Sequence, residues 1–170
     1  MPTRALVLAD THLRPGRART LPVEVTDELG RCDVILHAGD VVTHHLLDEL
    51  AQHAPVHAVL GNNDTELRGV LPESLDLHID GVRITVVHET GATKGRGARM
   101  RRRYPDAQVV VFGHSHMPLV EWHDGLLLFN PGSAVDRRRE PVPTFGVLEL
   151  DDGKVTRAEI VPCPSAVARG

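Results

Sequence analysis

The sequence predicts an α/β protein in which two β-sheets pack against each other and helices cover their outer faces. Seven short apolar runs are spread over the 170 residues, and each is short enough to form one strand. Helix-like segments separate the early runs, whereas turn residues separate several of the later ones. The first pattern is typical of a parallel sheet with crossover helices and the second of hairpins, so we expect strands of mixed direction.

The first part of the chain predicts βαβ units, because three apolar runs alternate with two helix-like segments. The runs lie at 5–9, 33–38 and 56–60, and the helix-like segments at 22–29 and 44–53. Pro22 opens the first helix and Gly30 follows it, while Thr43 is a candidate cap for the second. This alternation favours a parallel arrangement of the three strands.

The pattern changes after about residue 75. The stretch "LDLHIDGVRITVV" predicts a hairpin that turns at Asp80-Gly81, and a second turn is expected at Asp151-Asp152-Gly153. A crossover segment is expected at 96–104. The remaining apolar runs lie at 109–112, 126–129 and 145–150.

The composition is that of one globular domain, which we assign to residues 1–162, followed by a flexible tail at 163–170. The formal net charge of -4 and the pI of about 6.2 argue against a dedicated nucleic-acid binder. Cys32 and Cys163 are far apart, which fits a reducing cytoplasm. Since no run is long enough for a membrane span or a signal-peptide core, we expect a cytoplasmic protein without a membrane partner; a homo-oligomer stays open.

Residues that can bind metal follow five of the apolar runs, and "VVVFGHSHMPLV" is the clearest case because two histidines end a buried strand. The five groups are Asp10-Thr11-His12, Gly39-Asp40, Gly61-Asn62-Asn63-Asp64, His88 and Gly113-His114-Ser115-His116. Any one of them alone is typical of an ordinary turn. Together, at the same end of successive strands, they predict a shared pocket.

The number of candidate ligands predicts the kind of site. Two carboxylates, one amide oxygen and four imidazoles are available: Asp10, Asp40, Asn62, His12, His88, His114 and His116. This set exceeds what one zinc-like ion takes, and its mixture of nitrogen and oxygen suits manganese, iron, zinc or nickel better than magnesium or calcium. Two ions about 3.5–4 Å apart, bridged by a carboxylate, would use the whole set.

These residues resemble the calcineurin-like metallophosphoesterases, most closely their small bacterial and archaeal phosphodiesterase branch. The resemblance covers about residues 3–150, through D-x-H, G-D, G-N-x-D, a lone histidine after a strand, G-H-[ST]-H and N-P-G-S. It implies a four-layer αββα fold with a dinuclear metal site on one edge. By position it implies one metal held by Asp10, His12 and His116, another held by Asn62, His88 and His114, and Asp40 as the bridge.

The resemblance also implies roles for three residues in the catalytic step. Asp40 is the bridge, and Asp64 is expected to orient a ligand or its loop. Asn63 stands where many relatives have a histidine thought to help the leaving group, so the proton donor is open. Where many relatives read H-G-H, this chain reads His88-Glu89-Thr90, so a second histidine near the metals is lost and an acid is gained.

Two further positions are expected near the substrate. Asn130, in the N-P-G-S block, is expected to line or shape the pocket. Arg137, with Arg138 and Arg139 beside it, is expected to reach a substrate phosphate, because arginine binds phosphate through two parallel hydrogen bonds.

The function predicted in this way is a metal-dependent phosphoesterase, and more specifically a phosphodiesterase, that hydrolyses a small phosphate ester with a hydroxide activated by two ions. Manganese is the first expectation, with iron, zinc and nickel as alternatives. One rival is a protein-binding scaffold of the same fold, such as a retromer subunit that resembles these enzymes, and such a scaffold is expected to have lost ligands. Another rival is a nuclease, for which the basic run 94–103 would bind the phosphate backbone; otherwise that run is the solvated face of a crossover helix.

Overall fold

The computed structural model describes residues 1–167, which form ten strands in two sheets and three α-helices. The strands are β1 (Thr3–Leu8), β2 (Val34–His37), β3 (Val56–Ala58), β4 (Ser74–Ile79), β5 (Val82–Val87), β6 (Val109–Val111), β7 (Leu119–His123), β8 (Leu126–Asn130), β9 (Thr144–Asp151) and β10 (Lys154–Pro162). The helices are α1 (Val23–Leu29), α2 (His44–Ala51) and α3 (Arg96–Arg103). Short 3-10 helices lie at Thr65–Leu67 and Pro164–Ala166.

Each sheet has five strands and combines both strand directions. The first has the order β10-β9-β1-β2-β3, and the second the order β4-β5-β6-β8-β7. The three neighbours β1, β2 and β3 are parallel, as are β5, β6 and β8. The antiparallel strands β9, β10, β4 and β7 lie outside these trios. Within each sheet, the carboxyl ends of the three parallel strands therefore lie at the same edge.

Three apolar cores separate four layers of secondary structure, namely helices, two sheets and a further helix. Alternate residues of β1 show how, because Ala5 and Val7 face the core between the sheets, whereas Leu6 and Leu8 face α1 and α2 on the outside. On the other side of the sandwich, Met100 of α3 packs against the outer face of β6 and β8. Strands that are buried on both faces have continuous apolar sequences, which is why the apolar runs predicted their positions. The predicted two-sheet α/β fold is confirmed.

The elements expected from the sequence agree with the structure to within about two residues at most ends. Both turns occur where they were expected, with Gly81 and Gly153 at positive φ. Three strands were not among the apolar runs: β4 and β10 were expected only as partners across the two turns, and β7 was not expected. The strand β7 shows why. It is an edge strand on which Glu121 and Trp122 are exposed, so its sequence lacks the apolar continuity of the central strands.

The packed chain continues past residue 162, where the sequence placed the start of a flexible tail. Cys163 is fully buried in the core beside α1, and Ser165 donates hydrogen bonds to Glu24 through both its amide and its hydroxyl. Residues 163–166 therefore pack on the domain, and residues 168–170 of the expected tail lie outside the described part of the chain. Among residues 1–167, no helix has the length and apolar character needed to cross a bilayer.

Candidate metal centre

The structure brings all seven predicted ligands together at the edge where the parallel strands end. One group comprises Asp10, His12 and His116, whose ligand atoms lie within 4.8 Å of one another. A second contains Asp40 and His88, and Asp10 is close enough to belong to both groups. Loops after β1, β2, β3, β5 and β6 supply these side chains, so the site depends on both sheets.

Asn62 and His114 complete the second group. The Oδ1 atom of Asn62 lies 2.8 Å from Nε2 of His88 and 3.3 Å from Nδ1 of His114. The two imidazoles meet edge to face, with ring centroids 5.2 Å apart. Atoms that share one ion at about 2.0–2.2 Å lie about 3 Å from each other, so these separations suit ligands of a single ion.

Asp40 lies between the two groups. Its Oδ2 atom is 3.4 Å from Nε2 of His12 and 3.5 Å from Nε2 of His88. A histidine from each group thus approaches the same carboxylate, which is the arrangement that a bridging ligand requires.

The histidines present lone pairs to the site because their other nitrogens are engaged. Nδ1 of His88 donates to the carbonyl oxygen of Ala38 at 2.7 Å, and Nδ1 of His116 donates to the carbonyl oxygen of Asp136 at 2.6 Å. The Nε2 atoms of neutral rings held in this way are acceptors, as metal ligation requires.

Three buried acceptors at the site have no hydrogen-bond partner within residues 1–167: Oδ1 of Asp10 and Nε2 of His12 and His116. Buried polar atoms are nearly always paired, because an unpaired one loses its hydration without compensation. That three such atoms point at each other indicates that a cation belongs between them. The donor set therefore fits a divalent metal ion.

Electrostatics supports the same conclusion. Burial, followed by the negative charge of Asp40, raises the pKa of Asp10 to about 8. Burial also lowers the pKa of His12 and His116, so these rings are neutral and their short contacts to carboxylates are not ion pairs. A bound cation would stabilise the ionised form of Asp10 by replacing its proton, and neutral imidazoles are free to coordinate that cation.

Asp40 behaves differently from Asp10. Burial pushes its pKa up, but hydrogen bonds from Asn63 and the nearby rings of His88 and His12 outweigh that effect and leave the pKa below its ordinary value. The backbone N–H of Asn63 donates to Oδ1 at 2.9 Å, and its side-chain Nδ2 donates to Oδ2 at 2.9 Å. Asn63 thus holds the carboxylate in its charged form and in a fixed orientation.

Asp64 anchors the loops that carry the ligands. Its Oδ2 atom accepts the backbone N–H of Asp40 at 2.9 Å and of Gly61 at 2.7 Å, and Oδ1 accepts that of Val42 at 2.6 Å. The residue is buried, so it supports the ligand loops and does not face a substrate.

Close backbone approach explains the glycines of the motifs. A Cβ atom at Gly61 would lie 2.2 Å from both the backbone nitrogen and Oδ1 of Asp40, and one at Gly113 would lie 2.8 Å from Oδ2 of Asp10. Neither space admits a side chain. The glycines therefore let the loops after β3 and β6 approach the two carboxylates.

Asn130 is fully buried beneath the loop that carries His114 and His116, so it can shape the pocket through that loop, while a direct contact with substrate stays a prediction. Its Nδ2 donates to the carbonyl oxygen of Gly113 and the hydroxyl oxygen of Ser115, both at 3.2 Å. Its Oδ1 accepts the N–H of Gly132 at 2.9 Å. With its amide fully engaged, Asn130 shapes the loop.

Arg137 donates through Nη1 to the carbonyl oxygen of Glu140 at 2.6 Å and helps to close a turn, and its contact with a substrate phosphate stays a prediction. The neighbouring Arg138 has a stronger link to the centre, because its positive charge contributes to the pKa values of Asp10, His12 and His116. The sequence grouped these arginines but offered no signal to separate them.

Sequence reasoning missed several supports of the centre. The hydroxyl of Ser133 donates to the backbone oxygen of Asp10 at 2.7 Å and so ties the N-P-G-S block to the first ligand. The carbonyls of Ala38 and Asp136, which orient His88 and His116, are backbone groups. Only Ser133 had a signal in the sequence, through the motif in which it stands.

The basic run is partly used inside the fold. Arg99 donates to the carbonyl oxygens of Thr90 and Ala92, and Arg101 to those of Ala107 and Asp124. These arginines tie α3 to neighbouring loops. The run is therefore neither a purely solvated helix face nor a continuous strip open to nucleic acid.

The fold and the converging candidate ligands agree with a family of phosphoesterases. The chain belongs to the calcineurin-like phosphoesterase superfamily, whose domain matches residues 4–153. A probable metallophosphoesterase of Methanothermobacter thermautotrophicus is 35% identical over 167 residues, which cover 96% of this chain and 94% of that protein. A protein of Methanocaldococcus jannaschii named as a phosphodiesterase is 24% identical over 85% of this chain and 92% of its own length.

A solved structure is similar over almost the whole chain. Wild-type Vps29 of Entamoeba histolytica, in complex with Zn²⁺, is 27% identical, with a TM-score of 0.75 over 94% of this chain and 99% of that one. The family is dependent on divalent metals, and the ligand geometry described above agrees with that property.

Proposed function

We propose that the protein is a phosphodiesterase that uses two divalent metal ions, with Asp40 as the ligand common to both. The observation that carries this proposal is the position of Oδ2 of Asp40, 3.4 Å from Nε2 of His12 and 3.5 Å from Nε2 of His88. A single ion would leave one of the two ligand groups without a cation to bind.

Each ion would have its own ligands in addition to Asp40. One would be held by Asp10, His12 and His116, and the other by Asn62, His88 and His114. Manganese remains the first expectation, with iron, zinc and nickel as alternatives. The zinc in the similar Vps29 structure supports zinc as the strongest of these alternatives.

When bound, the ions supply a hydroxide nucleophile at neutral pH and stabilise the negative charge that develops on the phosphoryl oxygens. The protein's own residues fix the arrangement. Hydrogen bonds to backbone carbonyls keep the rings of His88 and His116 in the tautomer that offers Nε2. Asp64 fixes the backbone of the loop that carries Asp40, and Asn63 orients its carboxylate.

The proposed substrate is a small phosphate diester, in line with the name of the Methanocaldococcus jannaschii relative. Within the described residues 1–167, no side chain near the centre is an evident acid for the leaving group. The side chain of Asn63 is engaged by Asp40, and Glu89 lies 4.0 Å from Nε2 of the partly exposed His114. Neither residue is therefore assigned as the proton donor to the leaving group. The free cysteines Cys32 and Cys163 suit the cytoplasm.

The two rival functions have less support. A scaffold would not need the ligand set, yet all seven ligands are intact and converge on one edge. A nuclease would need free cations along the nucleic acid, whereas Arg99 and Arg101 bind carbonyls of their own chain.

The test combines metal content with turnover. Protein reconstituted with manganese is analysed for bound metal and assayed with bis(4-nitrophenyl) phosphate, 4-nitrophenyl phosphate, cyclic nucleotides and short oligonucleotides. We expect two ions per chain, and diester turnover that Asp40→Ala abolishes but Asp48→Asn, a change on the exposed face of α2, does not. One ion or fewer in the wild type, or near-normal turnover by Asp40→Ala, would contradict the dinuclear assignment.

A further inference from the structure

A cleft of about 460 Å³ lies beside the metal centre and is not used by the ligands. One wall is the segment 18–22, and the other is the loop 134–138. This loop is fixed to the centre at two points, because the carbonyl oxygen of Asp136 accepts Nδ1 of His116 at 2.6 Å and its backbone N–H donates to Ser133. Ser133 in turn holds the backbone of Asp10. Asp136, which lines the cleft, is therefore itself the support of a candidate metal ligand.

The cleft carries an excess of positive charge. Three arginines line it, Arg19, Arg137 and Arg138, against one lining carboxylate, Asp136. The ion pair between Nη1 of Arg19 and Oδ1 of Asp136 is long, at 3.9 Å, and exposed. Two positive charges are left over in a chain whose formal net charge is -4, so the local excess is opposite to the character of the whole protein.

Arg138 is the arginine most available to a ligand. Arg137 is held by Glu140, whereas Arg138 makes no hydrogen bond or ion pair with any residue among 1–167. Its backbone is in the left-handed region, with φ 50, which a non-glycine residue seldom adopts.

The charge of Arg138 also reaches the centre. Burial dominates the low pKa values of His12 and His116, and the positive charge of Arg138 lowers both further. The same charge opposes the burial that raises the pKa of Asp10. Arg138 also stands two residues after Asp136, on the loop that supports His116 and lines the cleft.

We propose that this cleft binds a second phosphate group, carried on the organic arm of the substrate that stays attached to the scissile phosphorus, and that Arg138 is its main contact. The inference rests on the proposed phosphodiesterase function. Arginine pairs with phosphate through two parallel hydrogen bonds. The apolar part of the lining, which includes Leu21 and Pro143, suits the arm between the two phosphates.

The experiment compares two diesters that differ only at the end of the arm: 4-nitrophenyl propyl phosphate and 4-nitrophenyl 3-phosphonopropyl phosphate. The quantity measured is the ratio of kcat/KM for the anionic arm to that for the neutral arm. For wild-type protein we expect a ratio of about 10 to 100, the range for a hydrogen-bonded charge pair. The preference should appear in KM, because the arm is remote from the bond that breaks.

Two variants separate a contact in the cleft from general attraction. Arg138→Gln should bring the ratio close to one, whereas Arg139→Gln should keep the wild-type ratio, since Arg139 is equally charged and exposed but does not line the cleft. A wild-type ratio near one would overturn the proposal. An equal loss in both variants would also overturn it, because long-range charge would then explain the preference.

Failure of the proposed function gives a different result, namely that neither diester is hydrolysed. The cleft is then tested by titration calorimetry on manganese-loaded protein, with propylphosphonate and propane-1,3-diphosphonate as the probes. Tighter binding of the diphosphonate that Arg138→Gln removes and Arg139→Gln retains would support the cleft without any turnover. Equal binding of both probes by wild-type protein would overturn it.

Discussion

Replacing Asp64 by asparagine should destabilise the protein and weaken its metal site at the same time. The carboxylate of Asp64 accepts three backbone N–H groups, those of Asp40, Gly61 and Val42, at 2.6–2.9 Å. Asparagine offers only one acceptor atom. If its carbonyl oxygen takes the place of Oδ2, its amide nitrogen faces the N–H of Val42, so two donors meet in a buried site.

The size of the effect follows from these contacts. One buried donor without a partner costs about 1–3 kcal/mol, and loss of the charge weakens the other two bonds. We therefore expect Asp64→Asn to lower the free energy of unfolding by about 2–4 kcal/mol. For a chain of this length each kcal/mol corresponds to about 2–4 °C, so the melting temperature should fall by about 5–15 °C.

The assay is thermal unfolding of metal-free Asp64→Asn, with Asp48→Asn as the control, because Asp48 is an exposed aspartate on α2. Manganese affinity should also fall, by about 10-fold to 100-fold, since Asp64 fixes the backbone of the Asp40 loop. A melting temperature within 1–2 °C of the control would refute the hydrogen-bond argument. A large loss of stability with normal manganese affinity would instead refute the link between Asp64 and the metal site.

Three further predictions follow from single contacts. Burial lowers the pKa of His37 to about 3 from 6.5, so the unfolded state binds a proton that the folded state does not. Above pH 6.5 this histidine is neutral in both states and does not change the free energy of unfolding with pH. As the pH falls from 6.5 towards 3, protonation of the unfolded state lowers the free energy of unfolding by up to about 1.4 kcal/mol per pH unit. Urea unfolding at several pH values in that range should show that the free energy of unfolding of His37→Gln falls less steeply with decreasing pH than that of the wild type. An equal dependence on pH would contradict this assignment. Arg101→Gln should cost about 1–2 kcal/mol of stability and Arg102→Gln little, because Arg101 donates to the carbonyls of Ala107 and Asp124 whereas Arg102 is exposed. Equal urea midpoints of the two variants would refute this difference. For substituted aryl phosphodiesters, we expect the rate to fall steeply as the leaving group becomes more basic, and Asn63→His to flatten that dependence by supplying an acid; a flat dependence in the wild type would show that another group already donates the proton.

The sequence predicted which residues converge at the sheet edge because candidate ligands and strands have separate signals that coincide along the chain. Apolar runs locate the strands, and the residues that follow five of these runs are the ones that meet at the sheet edge, such as Asp10 after β1 and His88 after β5. Since carboxyl ends of parallel strands share one edge, order along the chain was enough to predict proximity. The glycines at 61 and 113 also had a signal, since a loop that approaches a carboxylate closely has no room for a side chain.

Two kinds of feature could not be predicted from the sequence: hydrogen bonds made by backbone groups, and which of several identical neighbouring residues makes a given contact. The carbonyl of Ala38 orients His88, but any residue at that position has a carbonyl. Arg137 and Arg138 are identical neighbours, and only the path of the loop decides which one turns to Glu140 and which to the cleft. The edge strand β7 was missed because a half-exposed strand needs no continuous apolar run.

The backbone of the metal centre explains why so many hydrogen bonds converge on it. Five of the seven ligands are in the left-handed region: Asp10, His12, Asp40, His114 and His116. Aspartate and histidine tolerate this region better than most residues, so the side chains that bind metal are also those that fit the turns. Val42, at φ 84, is β-branched and tolerates it poorly.

At about 1–2 kcal/mol for each such residue, the strain approaches the whole free energy of unfolding of a typical domain, so it must be offset locally. The offsets are visible. Asp64 binds the N–H of both Asp40 and Val42, and the N–H of His114 donates to Oδ2 of Asp10 at 2.9 Å. Backbone bonds from Asp10 to Gly39 and from His12 to Asp40 join the first two ligand loops. A ligand loop in this fold therefore keeps its shape only while the others keep theirs, which is why the motifs have to be present together for the centre to form.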